Sequence, residues 1–352
     1  MNNITMDTIM SRFSADVGID LGTATTCVVA RGTGVKLCEP SYVAYDIKKK
    51  KIIAIGRDAK VMFGRHHGNI QIIRPIKDGV IGNFEMASLF IEFLMRRIKN
   101  YGFLRPRVML GVPADISEVE RRAVQEAIRI AGARTVYLVE QPIAAAIGAD
   151  VPIMESYGCV VLDLGAASSK VSVISLGGIV MSRSTPFASE KMDEAIQTMV
   201  RKKFNLLIGD NTSEDLKVNI GAALQLDEPI KVTVKGRDLT SGLPRAIYIN
   251  SDDINECLIE SIRSIVDLVK NCIEFTPPEL MGDIIDKGVV MTGGGAMLQG
   301  LDVLLTHALK LKCRVPPEPA FCVARGIERI FKDQRLMNAI FKQKKGKISR
   351  QG

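Results

Sequence analysis

Two short segments of the chain share a pattern of residue types that suits phosphate binding. Residues 17–35 are VGIDLGTATTCVVARGTGV, and residues 160–178 are VVLDLGAASSKVSVISLGG. Each segment is an apolar run ending in Asp-Leu-Gly, then small and hydroxyl residues, then an alternating run, which predicts a strand, a tight turn and a strand. Small residues in a turn leave consecutive backbone N–H groups open to an anion. The repeat therefore predicts two phosphate-binding hairpins.

The aspartates at the two strand ends, Asp20 and Asp163, indicate that the phosphate ligand is bound together with a metal ion. A carboxylate repels phosphate, whereas two carboxylates facing one site are favourable when Mg²⁺ and its water molecules lie between them and the phosphates. A third site, GVVMTGGGAMLQGLDVLL at residues 288–305, predicts a strand, a glycine turn and an amphipathic helix. Together these segments predict a nucleotide held between two similar halves of the chain.

The composition favours a two-domain protein with a large buried core, because 47% of its 352 residues are hydrophobic and 24% are charged. No apolar run approaches the roughly 20 residues of a membrane-spanning helix, and the N-terminus lacks the pattern of a signal peptide. We therefore expect a cytoplasmic protein. The net charge of +8 comes partly from lysines at residues 48–51 and from the C-terminal tail. Such runs are typical of solvated surfaces, and an anionic membrane surface is the next interpretation.

Nucleic acid is not expected as a partner, because the chain has no tryptophan, and only 5% of its residues are aromatic. The cysteines are scattered without a CxxC pair, which favours reduced, buried thiols over metal or redox chemistry. Seven are present, at positions 27, 38, 159, 257, 272, 313 and 322.

The same motifs carry a family resemblance. The order IDLGTA, DLGAASS and TGGGAML resembles the ATPase superfamily of actin, heat-shock chaperones and sugar kinases. Residues 64–87, 118–149 and 276–302 look like the MreB family of bacterial actins, and the likeness runs from about residue 16 to residue 330. The resemblance implies an α/β actin-like ATPase fold, in which two RNase-H-like halves with two small inserted subdomains surround a nucleotide cleft.

The family architecture predicts where the subdomains lie in this chain. The expected boundaries are an amphipathic leader at 1–15, subdomain IA at 16–38, 75–150 and 328–345, subdomain IB at 39–74, subdomain IIA at 151–187 and 251–327, subdomain IIB at 188–250, and a basic tail at 346–352. Within the first half, Ser117 and Glu120 match a capping box, which predicts a helix start between the buried strands VMLGVP and TVYLVE.

The resemblance also implies ATP with Mg²⁺ as the ligand and assigns residues to it. Asp20 and Asp163 would hold the metal through water. The expected nucleotide contacts are Gly22, Thr23, Ala24, Thr25, Gly165, Ala166, Ala167 and Ser168 at the phosphates, with Glu214, Asp215, Leu216, Lys217, Gly293, Gly294, Gly295 and Ala296 on the adenosine side. Asn219 stands where the family usually has Glu, so one adenosine contact is expected to be missing.

The chain departs from the family pattern at its catalytic positions. The family's DIGGGTTE is here DLGAASSK, and its EEP or DEP is Glu140-Gln141-Pro142. Glutamine orients water but cannot take its proton, so we expect a weakened catalytic set of Gln141, Ser168 and Lys170 and slow hydrolysis. Lys170 shares a strand face with Ser168, which would aim its ammonium at the terminal phosphate or its water. The alternative is a lysine that bends out to solvent.

Two apolar features predict membrane contact. Met6, Ile9, Met10 and Phe13 would share one face of a short helix, which suits a bilayer surface or, alternatively, a helix docked on the protein. Phe103 and Leu104 lie in a loop beside two arginines, which suits anionic lipid, with core packing as the alternative.

These features predict an ATP-binding cytoskeletal protein with weak hydrolysis. The resemblance implies protofilaments, in pairs, on the inner face of the cell membrane and a role in cell shape or rigidity. Related copies in the same cell are a further candidate partner, and the sequence does not indicate whether they co-assemble. Two alternatives stay open. One is a small-molecule kinase of the same fold, although Gln141 stands where such a kinase needs a carboxylate base. The other is a nucleotide-locked scaffold without turnover.

Overall fold

The computed structural model describes residues 16–98 and 105–348, with the backbone alone for residues 342–348. The described residues form two compact units. Unit 1 comprises the described residues up to Ser156, the segment Ile174–Ile179 and the described residues from Phe321 onward, and unit 2 comprises Tyr157–Val173 and Val180–Ala320. The residues predicted to contact a membrane lie outside the described ranges, namely Met6, Ile9, Met10, Phe13, Phe103 and Leu104.

Unit 1 is a mixed α/β unit. Its strands are β1 (Asp16–Leu21), β2 (Thr25–Ala30), β3 (Gly34–Pro40), β4 (Val43–Asp46), β5 (Lys51–Ile55), β6 (Ile70–Ile73), β7 (Ile76–Lys77), β8 (Val80–Ile81), β9 (Arg107–Val112) and β10 (Thr135–Glu140). Its helices are α1 (Arg57–Met62), α2 (Phe84–Arg97), α3 (Glu118–Ile130), α4 (Gln141–Gly148), α10 (Cys322–Lys332) and α11 (Gln334–Ile348). The main sheet has five strands in the order β10-β9-β1-β2-β3. In this sheet β1, β2 and β3 are antiparallel neighbours, and β9 and β10 run parallel to β1.

The alternation of side chains along β1 assigns its two faces. Val17, Ile19 and Leu21 belong to a buried cluster with apolar residues of α2, α3 and β9. Gly18 lies on the opposite face, where a β-carbon would come within 2.4 Å of Ile327 on α10. Asp20 shares the face of Gly18 because residues two apart on a strand point the same way. The strand thus buries its apolar residues on one side and presents a carboxylate on the other.

Helix α3 begins as the sequence predicts. The Ser117 hydroxyl accepts a hydrogen bond from the Glu120 backbone N–H, and the Glu120 carboxylate accepts one from the Ser117 backbone N–H at 2.9 Å. This reciprocal pair satisfies two of the N–H groups that a helix start leaves without a partner. The Ser117 hydrogen bonds also lower the pKa of Glu120. The capping box is confirmed, and so are the strands on either side of the helix, β9 and β10.

Unit 2 repeats the sheet order of unit 1. Its strands are β11 (Cys159–Leu164), β12 (Ser169–Ser175, which crosses the unit boundary), β13 (Gly178–Thr185, likewise), β14 (Leu206–Leu207), β15 (Lys231–Asp238), β16 (Pro244–Asn250), β17 (Val289–Thr292) and β18 (Cys313–Arg314). Its helices are α5 (Ser189–Phe204), α6 (Asp210–Ile220), α7 (Ser251–Glu274), α8 (Met281–Lys287) and α9 (Leu301–Leu309), with short 3-10 turns at Pro278–Leu280, Gly294–Met297 and Pro319–Phe321. The order β13-β12-β11-β17-β18 matches β3-β2-β1-β9-β10, as the sequence repeat predicts.

One prediction about the cysteines is wrong. Cys27 and Cys38 are joined by a disulfide, because the antiparallel register of β2 and β3 sets them directly opposite each other. The sequence pattern did not indicate this pairing, since the two residues are 11 positions apart and their proximity depends on that register. The other cysteines are buried or half-buried thiols, and burial raises the pKa of Cys257 to about 12 and those of Cys272 and Cys313 to about 11.

Neither of the described ranges contains a helix that is both long and apolar enough to cross a membrane.

Candidate functional site

Hairpin 1, formed by β1, the turn Thr23-Ala24 and β2, is held in shape by neighbouring backbone. Gly22 faces Thr25 so closely that a β-carbon at Gly22 would lie 2.3 Å from the Thr25 carbonyl oxygen. The Ser41 hydroxyl donates to the Gly22 carbonyl at 2.7 Å, and the Ser41 backbone N–H donates to the Ala24 carbonyl at 2.9 Å. Ser41 therefore fixes the outer curve of the turn.

Asp20 lies at the end of β1, one residue before Leu21, and receives a hydrogen bond from the first residue of α4. The Gln141 amide donates from Nε2 to Asp20 Oδ1 at 3.4 Å. Gly111 is the residue beside Asp20 on β9, and it leaves room for this contact, because a β-carbon there would lie 3.3 Å from Gln141 Cγ. The predicted catalytic residue Gln141 is thus placed against the predicted metal-ordering residue Asp20.

Hairpin 2, formed by β11, the turn Ala166-Ala167 and β12, is tied to the start of α5. The Gly165 N–H donates to the Ser168 carbonyl at 3.1 Å and closes the turn. The Ser189 and Glu190 N–H groups donate to the carbonyls of Gly165 and Ala166 at 3.3 and 2.9 Å. Because the N-cap of α5 is Ala188, which has no side-chain acceptor, the hairpin carbonyls satisfy N–H groups that the helix leaves open.

Asp163 in hairpin 2 occupies the position of Asp20 in hairpin 1, but it has different neighbours. Its Oδ1 accepts a hydrogen bond from the Thr292 hydroxyl at 2.9 Å. Burial raises the pKa of the Asp163 carboxyl, while the Thr292 hydrogen bond and the positive charge of Lys170 act in the opposite direction. The lysine that replaces the family's acid is therefore an electrostatic neighbour of this carboxylate.

The glycine turn, Gly293 to Gly295, packs against hairpin 2. Gly293 has φ of +82°, and a β-carbon there would lie 2.4 Å from the Leu164 carbonyl oxygen, so only glycine suits this position. A β-carbon at Gly295 would also meet Leu164, at 2.9 Å, whereas Gly294 has open space beside it. Gly294 is thus the glycine at which another molecule can approach the backbone.

The amphipathic helix expected directly after the glycines begins several residues later. The segment Gly294–Met297 is a short 3-10 turn, and α9 begins only at Leu301, after Gly300 with φ of +73°. The left-handed residue Gly300 separates the two pieces. Ala296, a predicted nucleotide contact, is 4% exposed and belongs to the core of unit 2.

The predicted adenosine residues on α6 divide by the face they occupy. Leu216 is buried in the core of unit 2, whereas Asp215 is exposed. Lys217 donates to the Ser189 carbonyl at 2.9 Å and forms an ion pair with Asp193 of α5 at 2.8 Å. Burial raises the pKa of Asp193 to about 6 despite this ion pair, and the nearby carboxylates Glu214 and Glu190 add to the effect.

The residues fit a nucleotide and a hydrated Mg²⁺ only as half-sites within each unit. Each hairpin presents small residues beside a strand-end aspartate, and carboxylate oxygens are suitable acceptors for the water molecules of Mg²⁺. The described residues contain no group of three or more side chains that would ligate a metal directly, which is compatible with metal held through water. Gln141 is a neutral amide, so it can orient a water molecule but cannot accept its proton.

Several residues that shape these half-sites were not predicted from the sequence. Ser41 holds hairpin 1, the Gly79 N–H donates to the Thr23 hydroxyl at 3.3 Å, Thr292 holds Asp163, and Asp193 pairs with Lys217. Thr292 had a visible signal, because it directly precedes the glycine turn at the end of β17. The others are distant along the chain from the residues they contact.

Comparison with known proteins gives consistent matches over nearly the whole chain. The family of MreB/Mbl proteins matches residues 14–339. Cell shape-determining protein MreB of Escherichia coli is 44% identical over 320 residues, which are 89% of this chain and 92% of that protein. Cell shape-determining protein Mbl of Bacillus subtilis is 42% identical over 315 residues, which are 89% of this chain and 95% of that protein.

Solved structures agree with the fold. MreB5 of Spiroplasma citri bound to ADP superimposes with a TM-score of 0.87 at 34% identity, covering 91% of this chain and 96% of that one. The same protein bound to AMPPNP also gives 0.87, at 33% identity and the same coverage. The MamK double helical filament gives 0.77 at 18% identity, covering 91% of this chain and 99% of that one, and supports the actin-like fold alone.

Proposed function

The chain belongs to the MreB/Mbl family of cell shape-determining proteins, and from this premise we propose that it is an actin-like cytoskeletal subunit that binds ATP and forms filaments. The observation that carries the proposal is the identity of 42–44% with cell shape-determining proteins over 89% of the chain. Filaments would be built from copies of this chain, in pairs, together with related copies where a cell has them.

We propose that hairpin 1, hairpin 2, the glycine turn and α6 supply the nucleotide contacts. The MreB5 structures with ADP and AMPPNP support nucleotide binding in a relative of the same fold. Mg²⁺, when bound, would neutralise phosphate charge, and Asp20 and Asp163 would order its water molecules. The backbone at Ala166, Ala167 and Gly294 is suited to hold phosphate, since the alanine side chains are small and Gly294 has open space beside it.

The second candidate function is a scaffold that holds its nucleotide with little or no hydrolysis. Gln141 favours it, because the amide already donates to Asp20 and has no basic group to offer a water molecule. Slow turnover and filament formation are compatible, so the two candidates differ only in the rate of phosphate release.

Sedimentation and electron microscopy with ATP test the filament proposal. We expect the purified chain to pellet and to form paired filaments with ATP. Gly293→Ala is the matched variant, because its added β-carbon displaces hairpin 2 at Leu164 without changing any charge, and it should abolish assembly that depends on nucleotide. A wild-type chain that binds ATP but stays monomeric, and instead phosphorylates small hydroxyl compounds, would favour the kinase alternative.

We further propose peripheral attachment to the inner face of the cell membrane. The support is the apolar stripe Met6, Ile9, Met10 and Phe13 and the pair Phe103-Leu104, together with the net charge of +8. An apolar side chain buried in lipid contributes roughly 1.5–3 kcal/mol, so its loss should lower affinity about tenfold or more. Co-sedimentation with anionic vesicles should fall on Phe103→Ser with Leu104→Ser, and on removal of residues 1–14. Unchanged co-sedimentation in both variants would contradict the attachment.

A further inference from the structure

We propose that Lys170 and Gln141 lower the negative charge that Mg²⁺ would otherwise have to balance, so that this chain binds nucleotide with a low dependence on the metal. The inference deepens the proposed nucleotide binding and rests on it. Two independent observations carry it, one in each hairpin.

The first observation is the position of Lys170 in hairpin 2. The hydrogen bond from the Gly165 N–H to the Ser168 carbonyl makes these two residues a facing pair. Counting outward along the two strands, Leu164 faces Ser169 and Asp163 faces Lys170. Hairpin 1 has the same count, with Asp20 facing Cys27 in the observed register. Facing residues on antiparallel strands point to the same side, with β-carbons about 4.5–5.5 Å apart.

Ser169, which directly precedes Lys170 on β12, shows which face of the strand Lys170 occupies. Ser169 is fully buried, and its hydroxyl donates to the Phe187 carbonyl at 2.7 Å. Lys170, the next residue, must therefore lie on the other face, which Asp163 also occupies. The ammonium is attached to the chain on the same side as the carboxylate that is proposed to order the metal's water molecules.

The second observation is the hydrogen bond between Gln141 and Asp20. The donor is a neutral amide, and the Nε2 to Oδ1 distance is 3.4 Å. A glutamate in the same rotamer would set two carboxylates at that distance, a repulsive arrangement that a divalent cation would relieve. With glutamine, the contact is favourable without a cation.

Considered separately, hairpin 2 presents one carboxylate with one ammonium, and hairpin 1 presents one carboxylate beside a neutral amide. With acids at positions 141 and 170, each of these half-sites would instead present two carboxylates. The metal would then balance protein charge as well as phosphate charge. In this chain the metal has chiefly the phosphates to balance, so its removal should weaken nucleotide binding less.

The experiment measures the dissociation constant of a fluorescent ATP analogue in Mg²⁺ and in EDTA, and takes the ratio of the two. We expect a ratio below about tenfold for the wild-type chain. Lys170→Met removes the charge and keeps the side-chain length, and it should raise the ratio by about tenfold or more. Lys170→Arg keeps the charge and should retain the wild-type ratio. Gln141→Glu should also raise the ratio.

Lys235→Met is the matched control, because Lys235 is an exposed lysine on a strand of the same unit, β15. It should leave the ratio unchanged. Equal weakening of binding by Lys170→Met in Mg²⁺ and in EDTA would mean that the lysine contacts phosphate without replacing the metal, and would overturn the inference alone. A wild-type chain that binds no nucleotide in either buffer would overturn the proposed function and this inference with it.

Discussion

Hairpin 1 and hairpin 2 belong to sheets of the same strand order, and each turns through two small residues. They differ in the residue that faces the aspartate, which is Cys27 in hairpin 1 and Lys170 in hairpin 2. Cys27 is bonded to Cys38 on the next strand, whereas the positive charge of Lys170 acts on Asp163 and lowers its pKa. The repeated fold therefore fixes where each carboxylate lies, while single side chains decide how much negative charge each half presents.

The largest change is expected in the rate of ATP hydrolysis, for a substitution at Gln141 beside hairpin 1. Gln141→Glu introduces a group that can accept a proton next to Asp20, and loss of a general base typically costs about 10²–10⁴-fold in rate. Because glutamine still orients water, we expect the variant to release phosphate roughly ten- to a hundred-fold faster. Phosphate release in Mg²⁺-ATP is the measurement. Gln225→Glu, at an exposed position in unit 2, is the control and should keep the wild-type rate. A wild-type rate that Gln141→Glu does not raise would contradict the interpretation.

The hairpins and the helix cap were predictable because they are local. A strand, a tight turn of small residues and a second strand lie within residues 16–30 in hairpin 1 and 159–175 in hairpin 2, and the capping box spans four positions. The contacts that determine the chemistry are not local. Gln141 and Asp20 are 121 positions apart, and Thr292 and Asp163 are 129 apart. Such pairs depend on how strands and helices pack, and no periodic pattern in the sequence encodes them.

The second prediction concerns the tightness of the two turns. Gly22→Ala would bring a β-carbon to 2.3 Å from the Thr25 carbonyl oxygen, while Gly165→Ala would bring one to 2.9 Å from the Ser168 carbonyl oxygen. The first clash requires more backbone movement, so we expect Gly22→Ala to cost about 2 kcal/mol or more. That corresponds to a fall in Tm of roughly 4–8 °C for a domain of this size. Thermal denaturation should show a smaller fall for Gly165→Ala, and equal falls would refute the ranking.

The third prediction uses the ion pair that borders hairpin 2. The pKa of Asp193 is raised from 3.8 to about 6, so the folded chain holds this proton more tightly than the unfolded chain. The free energy of unfolding should therefore fall as pH rises from about 4 to 6, by on the order of 1–2 kcal/mol from this residue, and level off above. Asp193→Asn should flatten this fall in denaturant titrations. The exposed Asp227→Asn is the control, and a full slope in Asp193→Asn would contradict the assignment.

The smallest change in nucleotide affinity is expected at Cys27, the residue that faces Asp20. Replacing both Cys27 and Cys38 by alanine removes a cross-strand bond but no charge, so the ratio of nucleotide affinities in Mg²⁺ and EDTA should change by less than about twofold. Lys170→Met, at the equivalent place in hairpin 2, should change it about tenfold or more. A change at the cysteines as large as at the lysine would remove the distinction between the hairpins. Mass spectrometry of the chain without reductant checks the disulfide itself.

The attachment of hairpin 2 to α5 has a mechanical consequence. Two main-chain hydrogen bonds join the turn to the first residues of a helix that continues for 16 residues, or about 24 Å. A shift of the turn by a fraction of an ångström would move the helix as a stiff rod and reach Phe204 at its far end. Because the link is made by carbonyl and N–H groups, the exchange of glycine for Ala166 and Ala167 leaves it intact. The connection between turn and helix is therefore retained when the side chains of the turn change.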